Sequence, residues 1–171
     1  MSDPIEVVPY DPRWPEQFAR IAARVQGAVP AGLIVAIEHV GSTSVPGLAA
    51  KPILDIDVVI ATAAELPAAI MSLTQLGYKH EGDRGIPGRA AFTWPPGESR
   101  HHLYVCDAES DELRRHLVFR DYLRAHAREA DQYAALKLAL VARFRDDRTG
   151  YSEAKAHYIQ AILAKVATKT E

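Results

Sequence analysis

Apolar residues recur along this chain at two spacings, which separate the expected strands from the expected helices. Alternation along 54–60 places Leu54, Ile56, Val58 and Ile60 on one face of a strand. Shorter runs rich in β-branched and aromatic residues, bounded by Gly and Pro, predict further strands. These lie at 33–40, 78–83, 90–94 and 100–106, with a short edge strand at 5–8.

Helical spacing of apolar residues, together with capping residues, predicts five helices. The first begins near Pro15 and ends at Gly27, and the second begins with the capping box Thr62–Glu65 and ends at Gly77. The remaining three follow the last strand. They are expected from Ser110 to about His126, over 130–145, and from a Ser152 cap to Val166, after a break at 149–152.

The resulting order is helix, two strands, helix, three strands and three helices. This order predicts an α+β fold, in which a mixed sheet of about five strands is covered by helices and followed by a C-terminal helical bundle. A length of 171 residues suits one domain with a full core. Within it we expect residues 1–107 to contain the sheet and residues 108–168 to contain the C-terminal helices.

Composition excludes several classes of partner. A net charge of −2 gives no support to a surface for long nucleic acids. The single cysteine, Cys106, rules out an intrachain disulfide and a cysteine-based zinc site. No signal-peptide pattern begins the chain, and no apolar run approaches the roughly 18 residues that span a membrane. We therefore expect a cytoplasmic protein with no membrane contact; its oligomeric state is left open.

Two acidic residues occupy the positions between the aliphatic residues of the strand at 54–60. Asp55 and Asp57 share the face opposite the aliphatic side chains. Neighbouring carboxylates repel each other and favour a cation between them, and hard oxygen ligands select Mg²⁺ or Mn²⁺. A divalent-metal site is predicted on this face.

A small polar turn precedes the acidic strand. Its residues Gly41, Ser42, Thr43 and Ser44 offer backbone N–H groups and hydroxyls, which is the chemistry of a phosphate-binding turn. A phosphate-binding turn beside a metal-holding acid pair suggests chemistry on a nucleoside triphosphate.

Each feature also has a structural alternative. The two acids can be solvated carboxylates on an exposed sheet face, and the turn hydroxyls can merely cap a short helix. If Leu103 and Val105 face the core, His102 lies on the side of the acids. His101 then points into the core and is expected to be a hydrogen-bonded structural residue.

The stretch HVGSTSVPGLAAKPILDI at 39–56 resembles the signature of the GrpB family, which is placed in the nucleotidyltransferase-fold superfamily. The similarity extends from about residue 5 to 166. It includes VPYDPRWP at 8–15, HHLYV at 101–105, LVFRDYLR at 117–124, YAALK at 133–137, and Tyr151 with Lys155.

The resemblance implies a nucleotidyltransferase-like fold and a set of site residues. The superfamily's Gly-Ser pair falls on Gly41 and Ser42, and its first two carboxylates fall on Asp55 and Asp57. The third carboxylate normally lies on a later strand, but the strand at 100–106 has none. His102 is the candidate replacement, either as a metal ligand or as a general base.

Four cationic residues are candidates for phosphate contacts: Lys51, Arg120, Lys137 and Lys155. The alternative is that they belong to solvated, charged faces. The function implied is metal-dependent transfer of a nucleotidyl group from a nucleoside triphosphate to an unknown small-molecule or protein hydroxyl. The other reading is a catalytically silent nucleotide-binding or accessory module of the same fold.

Overall fold

Five strands form one mixed sheet in the computed structural model, which describes residues 4–168. They are β1 (Ile34–Val40), β2 (Leu54–Ile60), β3 (Lys79–His80), β4 (Ala90–Thr93) and β5 (His101–Asp107). The spatial order is β1-β2-β5-β4-β3. Only the central β2–β5 pair is parallel, and the other neighbours are antiparallel. The predicted α+β fold with a mixed five-stranded sheet is confirmed.

Helices cover both faces of this sheet. They are α1 (Trp14–Ala28), α2 (Leu66–Gln75), α3 (Asp111–Ala125), α4 (Ala127–Phe144) and α5 (Arg148–Ala167). The main core joins α1 and α2 to one face, and α3 covers part of the other through Leu113, which packs on Val59 and Cys106. Helices α3, α4 and α5 pack together as the predicted C-terminal bundle. Within residues 4–168, none of the helices combines the length and apolar character needed to cross a membrane.

The alternation on β2 gives the predicted orientation. Leu54, Ile56, Val58 and Ile60 are each at most 1% exposed and belong to the main core. Burying one such aliphatic side chain contributes roughly 1.5–3 kcal/mol, so this face strongly specifies the register of the strand. The opposite face therefore carries Asp55 and Asp57, as predicted.

Two of the predicted strands are shorter than expected. The edge strand at 5–8 is replaced by a single bridge between Val8 and Ala50, while the Ile5 N–H donates to the Arg145 carbonyl. The strand predicted at 78–83 is regular only at β3. Glu81 and Gly82 still exchange backbone hydrogen bonds with Ala91, and the chain then turns away, with Gly82 at a φ of +72° and Arg84 at +49°.

Two predicted helix starts are wrong. α4 begins at Ala127 rather than at residue 130, because His126 alone interrupts the helical path from α3. α5 begins at Arg148 rather than after Ser152. Asp147 caps it by accepting a 2.9 Å hydrogen bond from the Gly150 N–H. Gly150 is therefore a first-turn residue, and a Cβ there would overlap the Asp147 carboxylate and lie 2.8 Å from the Phe144 ring.

Candidate functional site

The polar turn after β1 lies against the first acid of β2. Gly41 has a φ of +71°, in the left-handed region that favours glycine, and begins a 3₁₀ turn over Ser42–Ser44. A Cβ on Gly41 would overlap the Asp55 carboxylate and lie 3.1 Å from the Asp55 Cβ. Glycine is required at this position both by the backbone conformation and by the approach to Asp55.

Two of the turn hydroxyls stabilise the turn itself. Ser44 Oγ donates to the Gly41 carbonyl at 2.6 Å, and Thr43 Oγ1 lies 2.9 Å from Nε2 of His39. Thr43 and Ser44 are buried, whereas Gly41 and Ser42 remain partly accessible. The structural alternative therefore accounts for Thr43 and Ser44. Gly41 is the member of the turn that lies against Asp55, and the Ser42 side chain hydrogen-bonds to Tyr133.

His39 supports the turn as a neutral residue. Its ring stacks on Phe18 with centroids 4.9 Å apart, and burial lowers its pKa to about 4. A neutral imidazole has one donor and one acceptor nitrogen, which suits a hydrogen bond with the Thr43 hydroxyl. This residue anchors the start of the turn to the α1 side of the sheet.

Three cationic side chains from α3 and α4 donate to carbonyls along 39–49. Arg120 reaches the His39 carbonyl at 3.2 Å, and Arg124 reaches the Ser44 carbonyl at 2.8 and 3.0 Å. Lys137, only 2% exposed, donates to the Ala49 carbonyl. Arg120 also forms an ion pair with Glu38 at 2.6 Å. Arg120 and Lys137, predicted as phosphate ligands, are thus engaged with the protein around the turn.

The second acid of β2 is enclosed by α3. Asp57 is 2% exposed, and its Oδ2 accepts a 2.7 Å hydrogen bond from Nδ1 of His116, whose Nε2 lies 3.3 Å from Glu112. Burial opposes a charge on His116, but the hydrogen bond and the carboxylates of Asp57, Glu112 and Asp55 raise its pKa above the usual range. The structural alternative of a solvated carboxylate therefore does not hold for Asp57.

The first acid is more open and is paired with a different histidine. Asp55 Oδ1 lies 3.0 Å from Nδ1 of His102, its direct neighbour on β5, and both side chains are more than one third exposed. His101, by contrast, is fully buried between the Tyr78 hydroxyl at 2.7 Å and the Ser99 carbonyl at 2.6 Å. Both the position of His102 beside the acids and the structural role of His101 are confirmed.

A cleft of about 1090 Å³ opens beside Asp55 and His102. Its walls come from residues 4–7, the start of β2, the start of β5, and one face each of α4 and α5. Asp57 does not line it. Five cationic side chains face the cleft, against the carboxylates of Glu6 and Asp55: Lys51, Arg100, Arg145, Arg148 and Lys155.

Two lysines in this cleft share one aromatic ring. Nζ of Lys51 and Nζ of Lys155 lie 4.5 and 4.6 Å from the ring centroid of Tyr151, which is fully buried. Burial, followed by the charge of Lys51, lowers the pKa of Lys155 to about 8. Burial and the charge of Arg148 likewise lower the pKa of Lys51. Crowded cations of this kind are stabilised by an anion in the cleft.

The carboxylates do not form a ready-made metal centre. Asp55 and Asp57 are each bonded to a histidine, and across residues 4–168 no three His, Cys, Asp or Glu side chains are placed to hold a metal ion. A divalent ion on both acids would have to reach Asp57, whose side chain is 2% exposed and whose Oδ2 is bonded to His116. The donor set as it stands therefore does not fit a divalent ion. The predicted Mg²⁺ or Mn²⁺ site stays a prediction.

Sequence reasoning missed His116 and the arginines of the cleft. His116 and Glu112 have ordinary i,i+4 spacing, which looks like a surface pair until Asp57 is placed beneath the helix. Arg145 and Arg148 flank the turn between α4 and α5, far in sequence from β2. The sequence signal for Arg148 is its spacing from Ser152 and Lys155, because positions four and seven residues apart fall on one face of α5.

Solved structures define the class of fold. The Cid1 poly(U) polymerase, in a structure described as bound to MgGTP, matches 86% of this chain and 50% of its own chain. The TM-score is 0.57 and the sequence identity is 11%. Similarity at this identity concerns the fold alone, and it confirms that the fold is nucleotidyltransferase-like.

The family follows from closer matches. The model of the GrpB family, described as GrpB protein, matches residues 4–165, and this chain belongs to that family. The crystal structure of GrpB from Enterococcus faecalis covers 96% of this chain and 99% of its own, with a TM-score of 0.86 and 32% identity. A UPF0157 protein of Bacillus subtilis is 35% identical over 91% of this chain, which spans 45% of that relative's length.

Proposed function

We propose that this chain binds a nucleoside triphosphate in the cationic cleft and transfers its nucleotidyl group to a hydroxyl of a small molecule or protein. The observation that carries the proposal is the cleft itself, where five Lys and Arg side chains surround Asp55 and His102. Polyphosphate is the ligand class that such a cluster suits, because each cation makes a charge-assisted hydrogen bond to a phosphate oxygen.

The positions of the cleft residues suggest which of them would contact the phosphates. Lys51 and Lys155 are placed to bind the phosphates, because both ammonium groups converge over Tyr151 at the cleft wall. Gly41 brings the turn against Asp55, which itself lines the cleft. The nucleotidyltransferase-like fold agrees with this assignment but does not specify the nucleotide or the acceptor.

A second candidate is a nucleotide-binding module without catalytic activity. The observation that favours it is the burial of Asp57 beneath His116, together with the lack of a carboxylate on the inner part of β5. Such a protein would bind the same ligands through the same cations. Release of pyrophosphate distinguishes the two candidates, because only the transferase releases it.

The proposal is tested by calorimetric titration of ATP, GTP, CTP and UTP, each with and without Mn²⁺. At least one nucleotide should bind the wild type, and Lys155→Met and Lys51→Met should each weaken that binding about tenfold, the value of one charge-assisted hydrogen bond. Lys79→Met is the matched control, since Lys79 is exposed on the edge strand β3. Equal affinity in all four proteins would overturn the proposed cleft.

A further inference from the structure

We infer that His102 is a nucleophile that carries the nucleotidyl group covalently before the acceptor receives it. This inference rests on the proposed function and deepens it. It assigns a two-step reaction to the cleft, in place of direct attack by the acceptor hydroxyl. The chemical class of the intermediate is a phosphoramidate on an imidazole nitrogen.

The Asp55–His102 pair selects the reactive tautomer. A carboxylate only accepts hydrogen bonds, so the 3.0 Å contact between Asp55 Oδ1 and His102 Nδ1 requires a proton on Nδ1. The lone pair of the neutral ring then belongs to Nε2, on the side of the ring away from Asp55. An aspartate that orients a histidine in this way is the usual support for an imidazole that exchanges protons or attacks an electrophile.

The ring is accessible where the phosphates are proposed to lie. His102 is 38% exposed at its side chain and lines the same cleft as Lys51 and Lys155. Arg100, two residues before it on the chain, also faces this cleft. His116 does not meet these conditions. Both of its ring nitrogens face carboxylates, so neither is free to attack, and the residue does not line the cleft.

The missing third carboxylate gives the second reason. In direct transfer the acceptor hydroxyl must lose its proton as it attacks, and no carboxylate on β5 before Asp107 is available to promote that step. A neutral imidazole needs no deprotonation to attack. The acceptor still loses its proton in the second step, but there the group that leaves phosphorus is an imidazole already protonated on Nδ1, so covalent catalysis divides the transfer into two easier steps.

The atoms balance in both steps. First, Nε2 of His102 attacks the α-phosphorus, an N–P bond forms, the bond from that phosphorus to the bridging oxygen breaks, and pyrophosphate leaves with the electron pair. The cleft cations stabilise its charge. In the second step the acceptor oxygen attacks the same phosphorus, the N–P bond breaks, and the acceptor's proton leaves to solvent. The imidazole is returned in its starting form with Asp55 still accepting from Nδ1.

The test uses the full chain, each of the four α-³²P-labelled nucleoside triphosphates, and no acceptor. The expected result is label on the protein that is stable to alkali and lost in acid, with mass spectrometry placing a nucleotidyl group on His102. Labelled pyrophosphate should also exchange into the nucleoside triphosphate. His102→Gln should abolish both signals while retaining calorimetric nucleotide binding, and His157→Gln, at an exposed site on α5, should retain both.

Two supporting measurements separate the possible failures. Asp55→Asn should reduce labelling at least tenfold, because an amide no longer requires the proton on Nδ1. His102→Gly with added imidazole should release a soluble nucleotidyl-imidazole. Nucleotide binding without label on His102, or label that persists in His102→Gln, overturns the inference and leaves the proposed function intact. An absence of nucleotide binding in the wild type overturns both.

Discussion

His116 on α3 donates a 2.7 Å hydrogen bond to the buried carboxylate of Asp57 on β2, so a helix of the C-terminal bundle neutralises an acid of the central sheet. The bond joins two residues that are 59 positions apart in the chain. It explains how a carboxylate that is 2% exposed is tolerated, since an unpaired buried charge is strongly destabilising.

His116→Gln should destabilise the protein in a pH-dependent manner. Because the pKa of His116 is raised in the folded state, its stabilising effect is full below the unfolded value near 6.5 and is lost as the pH rises through the folded pKa. Urea unfolding at pH 5.5 should show a loss of about 2 kcal/mol, as expected for a hydrogen bond to a charged group. The loss should shrink as the pH rises through the folded pKa of His116, whereas a constant loss would contradict a charged His116.

Gly41→Ala should be more destabilising than Gly47→Ala. Both glycines have positive φ, at +71° and +79°, so both substitutions introduce backbone strain of about 1–2 kcal/mol. Only at Gly41 would the added Cβ also overlap the Asp55 carboxylate, because nothing lies within 4 Å of a Cβ at Gly47. Thermal unfolding of the two variants compares them directly. Equal losses would show that Asp55 does not restrict the turn.

Nucleotide affinity should fall as the pH rises from 7.5 to 9.5. Lys155, whose pKa burial lowers to about 8, loses its positive charge over this interval and with it the attraction for phosphate. Calorimetry should show a decrease of about tenfold in the wild type, the value of one charge-assisted hydrogen bond. Lys155→Met should bind more weakly with a flatter profile, while Lys79→Met should retain the wild-type slope.

The metal prediction is tested by Asp55→Asn combined with Asp57→Asn. If a divalent ion links these acids to the nucleotide, the double variant should lose the part of nucleotide binding that depends on Mg²⁺ or Mn²⁺, and keep the part that the cleft cations supply. Titrations with Mn²⁺ and with EDTA separate the two parts. Identical titrations for the wild type and the double variant would remove the metal site from both acids.

Tyr151→Phe should cost little stability despite complete burial of the residue. The Tyr151 hydroxyl is the buried polar group without a hydrogen-bond partner within residues 4–168, so its removal should change the free energy of unfolding by less than about 0.5 kcal/mol, or increase it. Tyr158→Phe is the comparison, since its hydroxyl donates to the Glu129 carbonyl at 3.0 Å. Loss of that bond should cost about 1 kcal/mol in urea unfolding.

Much of the sheet was predictable because β2 alternates between aliphatic and acidic residues over 54–58. A period of two fixes which side chains face the core, and this placed the aliphatic residues, Asp55 and Asp57 on their observed faces. The same pattern carries no information on what covers the second face. Whether Asp57 is solvated depends on the position of α3, which is set by the packing of Leu113 on Val59 and Cys106.

The cationic residues were harder to assign from sequence. Lys137 and Lys155 both lie within helices that pack in the C-terminal bundle, so their local sequences look alike. In the structure, however, Lys155 lines the cleft and Lys137 donates to the Ala49 carbonyl. Rotating one helix about its axis by a fraction of a turn would change whether a lysine lines the cleft or contacts the backbone. The packing between helices determines that rotation, and the sequence of one helix alone does not reveal it. The misplaced start of α5 has a local cause, since Gly150 looked like a helix break but is required beside Asp147.

The three donors that reach the carbonyls of His39, Ser44 and Ala49 come from α3 and α4, while the turn that they stabilise belongs to the sheet-containing half. A fragment ending at residue 107 would retain both acids but lose every one of these donors. For the same reason, a chimaera that exchanges the C-terminal helices between two family members must exchange residues 39–49 with them to preserve the shape of the turn.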